Sequence, residues 1–325
     1  MGPRPRYSAA SGIKDMKRNI QGIVPVMITP FHQDGDIDWG GLENLIEWYI
    51  AHGAQALFAV CQSSEMQHLT LSERRDLSAF TAKHVAGRVP VLASGHVADA
   101  QSEQAYELAT IADTGIDCLV MVSNRLDPEN AGGDQLRDAI DGLKAALPSS
   151  LPLGMYECPA PYRRLLTDAE VQYLCDDPQF VFLKDVSCDL DTVRRRMRLA
   201  KNSALAISNA NAAIAYQALT SGADGFCGVF NNFHPDLYRW LQDKGSDHRE
   251  LADELAVFLA LAALSEPMGY PKLAKLHHKR LGTFKSEHSR AVSGDILANY
   301  WGLEAVLDKI SQGTEMWRQR IAETG

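Results

Sequence analysis

The sequence predicts one (β/α)8 barrel of the TIM type, followed by a C-terminal helical extension. Eight short segments rich in β-branched or apolar residues recur at intervals of roughly 30 residues, and stretches with helical periodicity separate them. After about residue 248 the strand-like segments end, and the rest of the chain has the pattern of three helices. We therefore expect an N-terminal arm over 1–20, the catalytic barrel over 21–247 and a helical region over 248–325.

Each predicted strand is a nearly continuous apolar run, which is typical of strands buried on both faces of a parallel sheet. In chain order the eight predicted strands are 22–29, 55–60, 90–93, 116–122, 153–157, 180–184, 204–208 and 225–229. An open, doubly wound sheet is the alternative. It is disfavoured because the G-x-G-x-x-G turn that cradles a dinucleotide is missing after the first strand.

The helices between these strands are predicted from apolar spacing and from capping residues. A helix before Gly53 carries apolar side chains at i, i+3, i+4, i+7 and i+8, beginning at Leu42. Ser72 is the expected N-cap of the next helix. Thr167 and Glu170 have the spacing of a capping box at the start of a later one.

Composition excludes several classes of protein. The chain has 32 Lys and Arg against 41 Asp and Glu, a net charge of −9, and it lacks the basic cluster that nucleic-acid binding requires. No apolar run approaches the roughly 18 to 20 residues that span a bilayer. The basic N-terminal segment has no apolar stretch behind it, so we expect no secretory signal. A soluble protein without nucleic-acid or membrane partners is predicted.

The six cysteines are scattered without a C-x-x-C pair, which favours reduced thiols and a cytoplasmic location. His277 and His278 are adjacent, so on a helix their side chains point about 100° apart and do not share a metal. We expect neither a metal site nor an organic cofactor.

Lys184 is the strongest candidate for chemistry. It follows the apolar run of the sixth predicted strand, and strand alternation gives it the same facing as Phe182. Active sites of such barrels lie at the carboxyl ends of the strands. Desolvation there favours the neutral amine, which attacks carbonyl carbon to form a Schiff base. The alternative is a strand-end lysine that reaches solvent or pairs with Asp185.

Tyr156 ends the neighbouring fifth strand, where its phenol can move protons during carbinolamine formation and breakdown. A core tyrosine with a satisfied hydroxyl is the alternative. The second strand ends in a polar loop that contains Gln62, Ser63 and Ser64, whose donors can hold a substrate carboxylate. A capping loop is the alternative for that segment.

Together these segments resemble the dihydrodipicolinate synthase and N-acetylneuraminate lyase superfamily of class I aldolases. The resemblance covers about residues 22–241 and depends on four motifs in the family's order. GIVPVMITPF resembles its opening strand, VCQSSE its GTTGE-type loop, GMYECP its YN-x-P motif and FLKDVS its GIKDSS or GIKE strand. The resemblance implies that Lys184 forms the imine, that Tyr156 is the catalytic phenol and that Ser63 holds the carboxylate. It also implies a homo-oligomer, a tetramer or a dimer.

The sequence departs from the family pattern at several positions. The run after the fourth strand has no tyrosine, and Pro161 replaces the arginine expected after YN-x-P. Arg125 is a candidate for a distal carboxylate, with a surface loop arginine as the alternative. Asn209 occupies a glycine position after the seventh strand. Cys227 of the eighth strand completes the substrate-binding candidates, and a buried apolar role is its alternative.

These departures remove contacts for aspartate semialdehyde, while the lysine and its phenol remain. We therefore predict a lyase, aldolase or dehydratase that acts on pyruvate or another 2-oxo acid through a Schiff base. The two alternatives are 4-hydroxy-tetrahydrodipicolinate synthase, and a barrel of this family that binds a small molecule without turnover.

Overall fold

The computed structural model describes residues 20–324, which contain eight parallel strands arranged as a closed barrel. The strands are β1 (Gly22–Ile23), β2 (Leu57–Val60), β3 (Val91–Ala93), β4 (Cys118–Val122), β5 (Leu153–Tyr156), β6 (Phe180–Asp185), β7 (Ala206–Asn209) and β8 (Gly225–Phe226). Their order in the sheet is β1-β8-β7-β6-β5-β4-β3-β2. Val26 bridges to Phe58 just after β1, which joins the two ends of the sheet. The predicted (β/α)8 fold is confirmed.

Helices follow the strands and cover the outside of the barrel. They are α1 (Trp39–Ala51), α2 (Leu71–Val85), α3 (Gln101–Ala112), α4 (Ser123–Leu126), α5 (Gly133–Lys144), α6 (Asp168–Asp176), α7 (Leu190–Ala200), α8 (Ala215–Thr220) and α9 (Pro235–Lys244). Their apolar faces pack on the strands in one large core, and a small second cluster lies between α7 and α8. This alternation buries both faces of every strand, as the apolar runs predicted.

The chain beyond the barrel is helical, as predicted, and part of it returns to the carboxyl ends of the strands. Its helices are α10 (Arg249–Ala263), α11 (Lys272–Leu281), α12 (Ile296–Asn299) and α13 (Leu303–Ala322). The third predicted helix is thus two helices, with Gly302 at the N-cap of the second. Residues 1–19 of the predicted arm lie outside the described residues.

Local boundaries differ from the predictions for identifiable reasons. The first strand is much shorter than 22–29, because Pro25 has no N–H to donate to a ladder. The N-cap of α2 is Thr70 and not Ser72: the Thr70 hydroxyl accepts from the Glu73 N–H at 3.2 Å, and the Glu73 carboxylate accepts from the Thr70 N–H. The predicted capping box of Thr167 and Glu170 is present.

Aromatic side chains fill the barrel beneath its carboxyl end. The Phe58 ring makes edge contacts with Phe182 at 6.3 Å and with Tyr156 at 5.8 Å between centroids. All three side chains are buried. A packed apolar layer therefore closes the floor of the space above it.

Candidate active site

Lys184 and Tyr156 lie side by side at the carboxyl end of the barrel. They are register partners on the paired strands β6 and β5, so both side chains enter the barrel at the same level. The Lys184 Nζ is 4.4 Å from the centroid of the Tyr156 ring, and each residue is only 3% exposed. The two groups expected to carry the chemistry are therefore neighbours in a site that excludes most solvent.

Lys184 has no carboxylate partner in the part of the chain that the structure describes. The carboxylate of Asp185 points away from the barrel interior and pairs with Arg196. Arg196 also binds Glu157, the residue after Tyr156, with Nη2 2.6 Å from Oε1. Neither alternative for Lys184, solvent contact or pairing with Asp185, describes its position. Lys184 therefore faces the cavity with its amine unpaired by any carboxylate among the described residues.

The Tyr156 phenol is protonated in this environment. Burial raises the pKa of Tyr156 well above its ordinary value, and the nearby Cys158 thiol, which hydrogen-bonds to the phenol, reinforces the rise. The Cys158 Sγ also lies 3.3 Å from the Gln62 Oε1. A phenol that keeps its proton at neutral pH can donate it to an oxygen that leaves from an adjacent carbon.

A cavity of about 490 Å³ opens above these two residues. Its polar lining includes Lys184, Tyr156, Gln62, Ser63 and Glu266. Much of its remaining wall is apolar and comes from the turns after β7 and β8 and from α10. Cavities of this size hold small organic ligands.

The loop after β2 places Ser63 in the cavity and uses Ser64 for structure. The Ser64 hydroxyl donates to the Cys61 carbonyl at 2.6 Å and accepts from the Cys61 N–H at 2.8 Å. Ser64 is fully buried and does not line the cavity. Both hydrogen-bonding functions of its hydroxyl are occupied within the loop, so the structure places Ser63 and not Ser64 at the cavity.

Glu65 fixes the same loop to the C-terminal region. Its backbone has the left-handed φ of 64°, a conformation that costs a residue with a Cβ of the order of 1 kcal/mol or more. Its buried carboxylate pairs with Lys275 and accepts from the Ser289 hydroxyl at 2.9 Å and the Ala291 N–H at 2.7 Å. These contacts hold the strained backbone and with it the position of Ser63.

Tyr270 brings a second phenol to the cavity. Burial raises its pKa well above the ordinary value, and the Ser63 side chain, which hydrogen-bonds to the phenol, opposes the rise. The Asn232 Nδ2 donates to the Tyr270 Oη at 3.1 Å, and Asn232 also accepts from the Tyr49 hydroxyl. Tyr270 is thus held beside Ser63 by a buried polar chain.

Three further predicted substrate-binding residues do not line the cavity. The Arg125 Nη1 pairs with Asp99 at 2.9 Å, outside the cavity. Asn209 is buried, and its amide exchanges hydrogen bonds with the Asn211 backbone. Cys227 is buried as well, and burial raises the pKa of its thiol to about 12, which keeps the thiol neutral. Arg125 has a partner outside the cavity, and the other two lie behind its wall, so their roles in substrate binding stay predictions.

The two arginines after Pro161 are also occupied. Arg164 is buried and pairs with Asp127 and Glu170. The Arg163 Nη1 donates to the carbonyls of Val186 and Ser187 at 3.2 and 3.3 Å. Neither guanidinium lines the cavity.

Glu266 and Tyr270 line the cavity and were not predicted from the sequence. Both belong to the turn between α10 and α11, where the only local signal is a charged or aromatic residue next to proline. The surrounding protein raises the pKa of Glu266 by desolvation, although part of the residue is exposed at the rim, and Lys184 opposes the rise. The carboxylate therefore shares an electrostatic environment with Lys184.

Residues 20–324 contain no group of three His, Cys, Asp or Glu side chains placed to hold a metal ion. None of the helices described in that range combines the length and the apolar character needed to cross a membrane.

The site consists of a buried lysine beside a phenol at the carboxyl end of a (β/α)8 barrel. Comparison of the sequence with models of protein families identifies the family. The model of the Dihydrodipicolinate synthetase family matches residues 19–291. The chain belongs to this family, and the predicted resemblance is confirmed. Membership supports an aldolase-type lyase.

Individual relatives are distant. A 4-hydroxy-tetrahydrodipicolinate synthase from Shewanella baltica (strain OS155) is 28% identical over 225 residues, which cover 69% of this chain and 74% of that protein. The dihydrodipicolinate synthase from Acinetobacter baumannii, solved in complex with pyruvate, is 20% identical with a TM-score of 0.79, covering 90% of this chain and 99% of that one. CdNal from Clostridium difficile, solved with mannosamine, is 15% identical with a TM-score of 0.78 and coverages of 91% and 99%. These solved structures show that the fold is shared.

Proposed function

We propose that this protein is a lyase that acts on pyruvate or another 2-oxo acid through an imine on Lys184. The observation that carries the proposal is the position of Lys184: buried, without a carboxylate partner, over the Tyr156 ring and facing a cavity. The reaction is retro-aldol cleavage, aldol addition or dehydration. It requires neither a metal nor an organic cofactor.

Imine formation follows from the two groups. The neutral amine of Lys184 attacks the C2 carbonyl carbon, and the carbonyl oxygen takes a proton to give a carbinolamine. Tyr156 donates a proton to the departing hydroxyl, which leaves as water while the nitrogen lone pair forms the C=N bond. The resulting phenolate then takes the proton that leaves the C4 hydroxyl in cleavage, or the one that leaves C3 in dehydration and in enamine formation. The Ser63 side chain holds the C1 carboxylate.

The protonated imine then accepts electrons from C3. In the cleavage direction the C3–C4 bond breaks, the C4 hydroxyl loses its proton, an aldehyde leaves, and the electron pair forms an enamine. In the dehydration direction C3 loses a proton and the C4 hydroxyl leaves as water. In the addition direction the enamine C3 attacks an aldehyde carbonyl. Hydrolysis of the imine returns Lys184 in each case.

A panel of 4-hydroxy-2-oxo acids and sugar-derived 2-oxo acids tests this proposal, with pyruvate release and dehydration scored separately. We expect turnover of at least one substrate, with loss of more than 10²-fold in Lys184→Ala, because the covalent route is removed. Lys201→Ala, which changes an exposed lysine, is the control and retains activity. Equal turnover by Lys184→Ala and the native protein would overturn the proposal.

The second candidate is 4-hydroxy-tetrahydrodipicolinate synthase, the activity named for the Shewanella relatives. It condenses pyruvate with aspartate semialdehyde. Within residues 20–324 no arginine lines the cavity to bind the carboxylate of that aldehyde, because Arg125, Arg163 and Arg164 are occupied elsewhere. Incubation with both substrates decides between the candidates, since cyclisation at ordinary rates would establish the synthase.

A further inference from the structure

The wall of the cavity opposite the barrel floor is apolar. Helix α10 and its C-cap contribute Ala260, Ala263 and Leu264, and the turn after β8 contributes Val229 and Phe230. Leu264 is 70% exposed, so the apolar surface continues from the cavity to its mouth. A substrate group against this wall gains free energy when it removes apolar surface from water.

Within residues 20–324, the lysines near the cavity are not available to bind a second anionic group of the substrate. Lys184 is reserved for the 2-oxo carbon, and Lys275 is paired with Glu65. Among the described residues that line the cavity, none is an arginine, and His68 lies at its exposed edge. A second carboxylate or a phosphate on the substrate therefore finds no guanidinium to bind it bidentately.

Glu266 places a negative charge on the same side. Its side chain lines the cavity at the end of α10, and its carboxylate forms no ion pair within residues 20–324. The only other glutamate in the lining, Glu65, is neutralised by Lys275. A substrate carboxylate beyond C3 would meet the Glu266 carboxylate at the rim of the cavity and be repelled by it.

We infer that the substrate portion beyond C3 is uncharged and mainly apolar, and that Glu266 is the residue that discriminates against carboxylates there. In the addition direction the enamine C3 of pyruvate attacks the carbonyl carbon of an aliphatic or aromatic aldehyde. The new C3–C4 bond and one proton on oxygen give a 4-hydroxy-2-oxo acid, with nothing lost from either reactant after imine hydrolysis. This inference rests on the proposed function.

The test compares two acceptors with the same four-carbon chain, butanal and succinic semialdehyde, each with pyruvate. We expect the native protein to show a kcat/KM at least tenfold higher for butanal. Glu266→Gln is expected to reduce this preference at least threefold, mainly through a lower KM for succinic semialdehyde. Glu250→Gln, which removes one negative charge from the exposed start of α10, is the matched control and retains the native ratio.

Borohydride reduction in the presence of pyruvate distinguishes failure of this inference from failure of the proposed function. If the adduct is trapped, any one of three results overturns this inference alone. They are a preference for succinic semialdehyde, a ratio of kcat/KM values that Glu266→Gln leaves unchanged, and no reaction of butanal or benzaldehyde. Absence of any adduct overturns the proposed function as well.

Discussion

Lys184 differs from an ordinary strand-end lysine because the carboxylates next to it in the fold pair with another residue. Asp185 and Glu157, each next in the chain to one of the two proposed catalytic groups, both point outward and share Arg196. Inward, Lys184 lies over the Tyr156 ring and lines the cavity that Glu266 also lines. The pairing with Arg196 therefore keeps Asp185 and Glu157 away from the amine, while Glu266 interacts with it electrostatically across the cavity.

Replacing Tyr156 with phenylalanine tests the role of the phenol. We expect Tyr156→Phe to lower kcat by about 10² to 10⁴, because positioned proton transfer contributes a factor of this size. The variant should keep its fold, since the ring still packs on Phe58. Steady-state kinetics on the substrate found in the panel provides the measurement, and Tyr106→Phe, at a tyrosine 68% exposed, is the control. Native kcat in Tyr156→Phe would remove the phenol from the mechanism.

Lys184 and Tyr156 were predictable because each ends an apolar strand and alternation fixes its facing. Glu266 and Tyr270 were not, because they lie in a turn outside any periodic segment and reach the cavity only through tertiary packing. Ser64 and Arg125 were placed in the site by local polarity. Sequence position does not show that each already has a partner.

One buried guanidinium joins the two strands that carry the proposed catalytic groups. Arg196 of α7 binds Glu157 after β5 and Asp185 at the end of β6, and it also donates to the Leu166 carbonyl at 2.9 Å. Glu157 accepts in addition from the Val186 N–H at 2.9 Å. This clamp fixes the register in which Tyr156 and Lys184 face each other.

Removing the clamp should destabilise the fold. We expect Arg196→Met to lower the free energy of unfolding by about 3 to 5 kcal/mol, because it leaves two buried carboxylates without a counter-ion. The neighbouring Arg195→Met is the matched control. Arg195 pairs with Asp168 on the surface, where such pairs contribute about 0 to 1 kcal/mol. Urea denaturation measures both, and similar losses in the two variants would contradict the clamp.

The strands were predicted at the correct places because a run buried on both faces is apolar at every position. The ends of the strands were less predictable. Pro25 ends β1 early, and the residues after β8 form a short 3₁₀ helix (Val229–Asn232) instead of continuing the strand. Thr70 and Ser72 are both plausible caps by residue type. The contacts of Glu73 select Thr70.

At the scale of the whole molecule, the C-terminal helices complete the site that the barrel begins. The turn after α10 supplies Glu266 and Tyr270, and Lys275 of α11 anchors the loop that carries Ser63. The net charge of −9 describes the surface and not the cavity, whose lining is set by a few local groups. A homo-oligomer and a cytoplasmic location stay predictions, the first of which light scattering tests.

Buried histidines make the folded molecule sensitive to acid. Burial lowers the pKa of His96 to about 4. Its Nε2 accepts from the Val122 N–H at 2.7 Å, so its Nδ1 donates to the Gln104 Oε1. Between pH 6.5 and 4 the unfolded chain binds the proton more readily, so the stabilisation present above pH 6.5 is lost as the pH falls.

The contribution of His96 to the pH dependence of the free energy of unfolding can be measured. We expect the stability difference between the native protein and His96→Gln to shrink by roughly 2 to 3 kcal/mol between pH 7 and pH 4.5, because only the native protein carries this titration. Urea denaturation at the two pH values measures it. His32→Gln, at an exposed histidine, serves as the control. A difference that does not change with pH would show that His96 is not neutral in the fold.

The central claim is that Lys184 forms an imine with a 2-oxo acid. Reduction with borohydride in the presence of pyruvate, followed by intact mass and peptide mapping, tests it most directly. We expect one reduced pyruvate per chain, located on Lys184 and absent from Lys184→Ala. A native protein that gains no adduct, or one that carries it on another lysine, would contradict the account.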